Sequence, residues 1–340
     1  MEYRNLGRSG LRVSRIAFGG AHIGELLTEA DTEKVVHAAW DHGINTFYTS
    51  DSYNNGRAEE ILGKALKPRR EDVVIISKVG TYVGGEALAS HDPSNRDEAA
   101  LWDQGIAPGS MGLSRRYLVR ALDASLRRLQ TDYLDVYSPH SWDPLTPIEE
   151  TLDTLNDFVR AGKVRYLGCS RTNGWQYQRA VGASAKAGFA RYEAIQVRFN
   201  LLERAPAHDL LGAAAEAGGS ILAFGSLAGG ILSGKYSRES SSPTDLGYRI
   251  KHLNLYWNDE SFRAIEHLAA IAADAQRPMA ELAQAWALAQ TPVTSLLVGP
   301  NLPEEVAPIA AAATKPLTAD EATAINAWIA EFPVSTVQVP

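Results

Sequence analysis

Glu71-Asp72-Val73-Val74-Ile75-Ile76-Ser77-Lys78 is apolar without alternation from 73 to 76 and then ends on a hydroxyl and an amine. A strand with one face in water alternates, whereas an unbroken run fits a parallel strand covered on both faces. Outward from this stretch the pattern repeats. Short apolar runs fall at 16–18, 46–48, 73–77, 134–137, 164–168, 194–197, 220–224 and 295–298, with helical periodicity between them. Eight is the number of strands that closes a barrel. The segments between carry helix signals. Thr28 to Asp31 caps a helix that presents Val35, Val36, Ala39 and Trp40 and stops at Gly43. Thr146-Pro147-Ile148-Glu149 has the form of a capping box with proline at the first helical position, followed by Leu152, Leu155 and Val159 on one face.

An open dinucleotide-binding sheet shows G-x-G-x-x-G after its first strand, and Gly19-Gly20-Ala21-His22-Ile23-Gly24 does not match. Upstream, Tyr3 to Leu6 and Leu11 to Val13 flank Gly7 to Gly10, the pattern of a hairpin that plugs the bottom of a barrel. Neither an internal repeat nor a low-complexity linker divides the chain. The expectation is an α/β fold, a (β/α)8 TIM barrel with an N-terminal β-hairpin plug, as one domain over residues 1–340.

Of the 340 residues 45% are apolar and 21% charged, a balance that excludes disorder on compositional grounds. Lys and Arg number 33 against 40 Asp and Glu, for a net charge of -7, and no basic run offers a footprint for nucleic acid. Cys169 is the only cysteine, which rules out an intrachain disulfide or a cysteine-based zinc site and reads as a small buried strand residue. Met1-Glu2-Tyr3-Arg4 lacks the apolar core of a signal peptide, and no run of apolar residues is long enough to span a membrane. These features place the protein in the cytoplasm. The histidines, His22 and His91 among them, lack partners at metal-ligand spacing, so no metal is expected.

Tyr53, Lys78 and His140 fall at the ends of the second, third and fourth runs, which converge on one rim of a barrel. An ammonium beside a phenol stabilises the phenolate, and an imidazole can orient a carbonyl oxygen. Taken singly each also reads as ordinary: a solvated loop charge, a packing residue, a satisfied polar group. Two long segments, 80–112 and 233–258, follow strands and read as lids over the same rim. Tyr82, Trp102 and Trp142 are candidate aromatic walls for a sugar ring or flat aglycone.

The resemblance that joins these residues is to the aldo-keto reductase family. It is carried by Tyr3-Arg4-Asn5-Leu6-Gly7, by Asn45-Thr46-Phe47 through Glu60-Ile61-Leu62-Gly63, and by Ser125-Leu126-Arg127-Arg128-Leu129 through Asp135 with His140. It continues through Gly168-Cys169-Ser170, Gln196 with Asn200-Leu201-Leu202, Leu227 to Tyr236 and Ala283 to Gly299. The resemblance implies hydride transfer between a nicotinamide cofactor, usually NADP(H), and a small-molecule carbonyl or alcohol. The family's acid–base tyrosine falls on Tyr53, its lysine on Lys78 and its histidine on His140. Its catalytic aspartate falls on Tyr48, within Phe47-Tyr48-Thr49-Ser50-Asp51-Ser52-Tyr53. Asp51 matches a second acid seen in many members and could stand in only if its loop were redirected.

On the cofactor side the resemblance assigns Ser170, Arg171 and Gln196 to the nicotinamide carboxamide and Phe224 to stacking on its ring. It assigns Gly225, Ser226 and Leu227 to the pyrophosphate, and Gly299 and Glu305 to the adenosine end. Glu305 stands where a basic or amide side chain often meets the 2'-phosphate. A carboxylate there repels a phosphate and suits a free ribose diol, which shifts weight toward NAD(H). The missing aspartate leaves two alternatives beside reduction: a non-redox lyase or isomerase of a keto sugar on the same barrel, and a non-catalytic cofactor-sensing subunit like the family's channel-associated members.

Overall fold

A computed structural model describes residues 1–81, 83, 103, 106–240 and 253–332. The expected barrel is present. Its strands are β3 (Ile16–Gly19), β4 (Thr46–Tyr48), β5 (Val74–Val79), β6 (Leu134–Pro139), β7 (Val164–Ser170), β8 (Tyr192–Arg198), β9 (Ser220–Phe224) and β10 (Val293–Val298). All neighbours pair in parallel, and β10 closes on β3 with Leu296 opposite Ile16 and Val298 opposite Phe18. Each of the eight apolar runs is one of these strands.

Two apolar layers result from the two faces of each strand. Ala17, Tyr48, Val74, Ile76, Val136, Ala194, Leu222 and Leu297 fill the barrel interior. Phe18, Phe47, Ile75, Tyr137, Ile195 and Ile221 point outward into the packing between barrel and helices. The hairpin β1 (Tyr3–Asn5) and β2 (Arg12–Ser14) is antiparallel, with Tyr3 opposite Ser14. Leu6 and Val13 belong to the interior cluster, and the Gly7 amide donates to Ser220 Oγ at the first residue of β9. The hairpin therefore closes the amino-terminal end of the cylinder.

Helix starts follow the sequence signals in one case and depart in another. Thr28 caps the helix Glu29–Asp41, accepting from the Asp31 amide. At the helix Ile148–Arg160 the expected capping box is absent. The Thr146 hydroxyl donates to Asp143 Oδ2 at 2.7 Å, and Pro147 itself occupies the cap position. The carboxylate of Asp143 also accepts from the Leu113 and Leu145 amides, so it outcompetes the helix end for the hydroxyl. Among the described residues no helix is long and apolar enough to cross a membrane, and no cluster of metal-ligating side chains is found.

Candidate active site

Strand alternation explains which side chains meet at the carboxyl-end rim. On β5, Val74 and Ile76 point into the barrel, so Lys78 does too, one layer higher. The same count carries Val136 to Ser138 and onward to His140, Ala194 to Gln196, and Leu222 to Phe224. Lys78 is fully buried within the strand, which removes the reading of it as a solvated loop charge.

Lys78 Nζ lies 4.4 Å from the ring centroid of Tyr53 and 4.1 Å from that of Tyr48, and donates to the Thr49 carbonyl at 2.9 Å. Tyr53 opens a short turn, Tyr53–Gly56, just after β4, and its ring meets that of His140 edge-on at 5.9 Å. His140 Nδ1 is 3.2 Å from Ser50 Oγ and 3.3 Å from Thr81 Oγ1. Tyrosine and histidine, far apart in sequence, thus line one cleft, with the buried lysine packed against the tyrosine ring.

Burial sets the protonation of this group. Removal from water pushes Lys78 well below the usual lysine range, the Arg171 charge adds to this, and Asp51 and Glu59 oppose it. His140 is likewise held well below its ordinary value, by burial first and then by Lys78 and Arg171. Asp51, the acid considered as a stand-in partner for Lys78, forms no ion pair with it. Its carboxyl is buried, is driven well above the usual carboxylate range by burial and by neighbouring Glu59, and leaves Oδ2 without a hydrogen-bond partner. Only its backbone touches Lys78, through an amide donated to the Lys78 carbonyl at 3.1 Å.

Every cofactor-side residue expected from the sequence lines one cleft of about 490 Å³: Ser170, Arg171, Gln196, Phe224, Gly225, Ser226, Leu227, Gly299 and Glu305, together with Tyr48, Tyr53 and His140. Ser170 Oγ donates to Gln196 Oε1 at 2.9 Å, a buried pair of polar groups at the barrel mouth. Beyond Phe224 the backbone passes through positive φ at Gly225 (68°), Ala228 (49°), Gly229 (70°) and Gly230 (113°). These left-handed residues turn the chain back on itself, with the Ala228 and Gly230 amides donating to the Gly225 and Leu227 carbonyls. A hydroxyl–amide pair, an aromatic platform and a curled backbone suit the nicotinamide and pyrophosphate of a dinucleotide.

Several groups at the cleft were not singled out from the sequence. Arg198 and Lys235 line it, as does Tyr256, whose hydroxyl donates to Glu203 at 2.5 Å. Asn200 binds both the Tyr256 hydroxyl and the Gly225 carbonyl, tying the post-β8 loop to the curl after β9. These contacts join loops whose approach depends on barrel closure. Glu305 is engaged within the fold: its Oε2 accepts from the Asn301 amide at 2.8 Å. Trp142 packs against Trp175 with centroids 5.7 Å apart. Tyr82, Trp102 and His91 lie outside the described residues, as does most of the two lid segments.

Proton-handling side chains and a nucleotide groove on one rim are the equipment of a nicotinamide-dependent oxidoreductase. Comparison with known proteins gives the family. The aldo/keto reductase profile matches residues 15–330, and the chain belongs to that family and is an NAD(P)-dependent oxidoreductase of its type. Relatives include an aldo-keto reductase of Fusarium vanettenii, 30% identical over 98% of this chain and 92% of its own length. The versiconal hemiacetal acetate reductase of Aspergillus parasiticus is 32% identical over 94% of this chain and 95% of its own length. A probable voltage-gated potassium channel subunit beta of Arabidopsis thaliana is 32% identical over 88% of this chain and 87% of its own length.

Proposed function

We propose that the protein reduces the carbonyl group of a small sugar or glycoside-like compound, with Tyr53 as the proton donor. The observation that carries this reading is the placement of Lys78 Nζ 4.4 Å from the Tyr53 ring beside the edge of His140. When bound, the reduced nicotinamide supplies hydride to the carbonyl carbon. Tyr53 donates its proton to the carbonyl oxygen, and the Lys78 ammonium stabilises the phenolate left behind. His140 stays neutral because it is buried; a hydroxyl of Ser50 or Thr81 donating to Nδ1 leaves Nε2 as the N–H that fixes the carbonyl oxygen. Ser170, Arg171 and Gln196 hold the carboxamide end and Phe224 the ring, with Gly225, Ser226 and Leu227 at the pyrophosphate. Trp142 and the exposed Trp175, their rings inclined at 60° to each other, offer aromatic faces of the kind that sugar rings and aglycones pack on.

At the adenosine end expected from the sequence, residues 298–309 hold no Lys or Arg, and Glu305 lines the cleft there with Gly299, Pro300 and Pro308. That composition favours NAD(H) over NADP(H), because a second phosphate would meet negative charge. Titration of the protein with NADH and with NADPH, followed by fluorescence, tests the reading: saturation is expected with both and at lower concentration with NADH. Silence with both would overturn it. The second reading, a cofactor-sensing subunit, draws on the channel β relative. It expects saturable nucleotide binding without turnover of any aldehyde, ketone or keto sugar in a screening panel, and no gain of turnover in Tyr48→Asp.

A further inference from the structure

We infer that Tyr48 is a positioning residue that seats the Lys78 ammonium through the face of its ring, taking the place of the carboxylate in the family pattern. This rests on the reading of Tyr53 and Lys78 as the proton-handling pair. The lysine amine lies over two ring faces, Tyr48 at 4.1 Å and Tyr53 at 4.4 Å, with the Thr49 carbonyl accepting one proton at 2.9 Å. Among the described residues no carboxylate pairs with it; Asp51 and Glu59 act on it only through space. The other groups within electrostatic reach are Arg171, which opposes the charge, and His140, which is held neutral.

A ring face is attracted to the cation by its quadrupole, the more so where water is excluded, and unlike a carboxylate it cannot take the proton away. The hydroxyl of Tyr48 is not free for acid–base work. It is hydrogen-bonded to Ser138, and burial raises its pKa far above the ordinary phenol value. Strand register fixes the arrangement: Tyr48 pairs with Ile76 across β4 and β5, which brings Tyr48 beside the next inward residue of β5, Lys78. The role therefore belongs to the aromatic ring and not to its oxygen.

The experiment follows the side-chain nitrogen of Lys78 by NMR across pH in lysine-labelled, nucleotide-free protein, with Lys78→Met providing the assignment. Tyr48→Phe, Tyr48→Leu and Tyr48→Met are compared with wild type. The phenylalanine variant keeps the titration midpoint, and leucine and methionine lower it by about one pH unit, the size of a desolvated cation–π contact. Turnover falls about tenfold in the leucine variant, on kcat with little change in KM, and phenylalanine restores most of it. Two results would overturn the inference: phenylalanine shifting the midpoint as far as leucine, which assigns the role to the hydroxyl, or leucine and methionine leaving the midpoint where it was. The titration needs no turnover, so failure of the carbonyl-reduction reading and failure of the ring seat give different results. If leucine disturbs folding, the methionine variant, with its flexible side chain, supplies the aliphatic comparison.

Discussion

On the proposed mechanism, Tyr53 donates a proton only while a positive charge stands ready to hold the phenolate it leaves. Lys78 carries that charge below its own pKa and loses it above, and burial moves that pKa well under the ordinary lysine value of about 10.4. The rate of carbonyl reduction is therefore present at lower pH and declines with rising pH through the lowered lysine value, with its alkaline limb below that of an exposed lysine. A pH profile of kcat checks this, and a limb at or above about 10.4 would contradict it. That Tyr53, Lys78 and His140 would meet at one rim was expected from the sequence because each falls at or just beyond the end of an apolar run, and strand ends converge in a barrel; their roles were assigned by the family resemblance alone. The cation seat was not legible. It depends on ring faces brought together by the register of β4 against β5, and side-chain spacing along one strand carries no trace of that.

Behind the rim, the helices Arg57–Leu66 and Arg115–Leu129 are joined by a buried ion pair. Glu59 is wholly buried, accepts from Ser77 Oγ at 2.5 Å, and meets the Arg128 guanidinium at 2.7 and 2.8 Å. Arg128→Leu leaves that carboxylate unpaired, and the expected cost is about 3–5 kcal/mol, read by denaturant unfolding at neutral pH. Glu59→Gln in the same background should recover part of it. Between the same helices Gly63 has no room for a methyl group, since a Cβ there would lie 2.4 Å from the Leu129 carbonyl oxygen. Gly63→Ala is expected to push the helices apart and cost about 1–3 kcal/mol, measured the same way. Apolar runs announced the strands one by one, but Gly63 read only as part of a family block. Its reason is a neighbouring helix 66 residues further along the chain, as Leu129 shows. The capping box at Thr146 was misread for a related cause: Asp143, drawn in by the Leu113 amide from across the loop, takes the threonine hydroxyl.

At the scale of the whole molecule, barrel closure turns separate strand ends into a single mouth. The eightfold count and the hairpin were readable because parallel strands sheathed in helices leave unbroken apolar runs. The loops that complete the groove were only partly readable. Asn200 and Glu203, from the loop after β8, and the distant Tyr256 form a hydrogen-bonded brace to the Gly225 carbonyl. Nucleotide that binds only the folded chain must stabilise it, by about 2.7 kcal/mol at a hundredfold excess over Kd. Thermal unfolding with NADH or NADPH at matched concentration should show the larger rise with NADH, as Glu305 at the proposed adenosine end predicts; a larger rise with NADPH would reverse that assignment. The account as a whole stands on Tyr53 as proton donor in a site without the usual aspartate. Nicotinamide absorbance, followed in wild type and Tyr53→Phe with a panel of aldehydes and keto sugars, tests it directly. The account predicts NADH consumption by wild type, and in the variant retained NADH binding with turnover at least about a hundredfold slower. Equal turnover by the two proteins would contradict it.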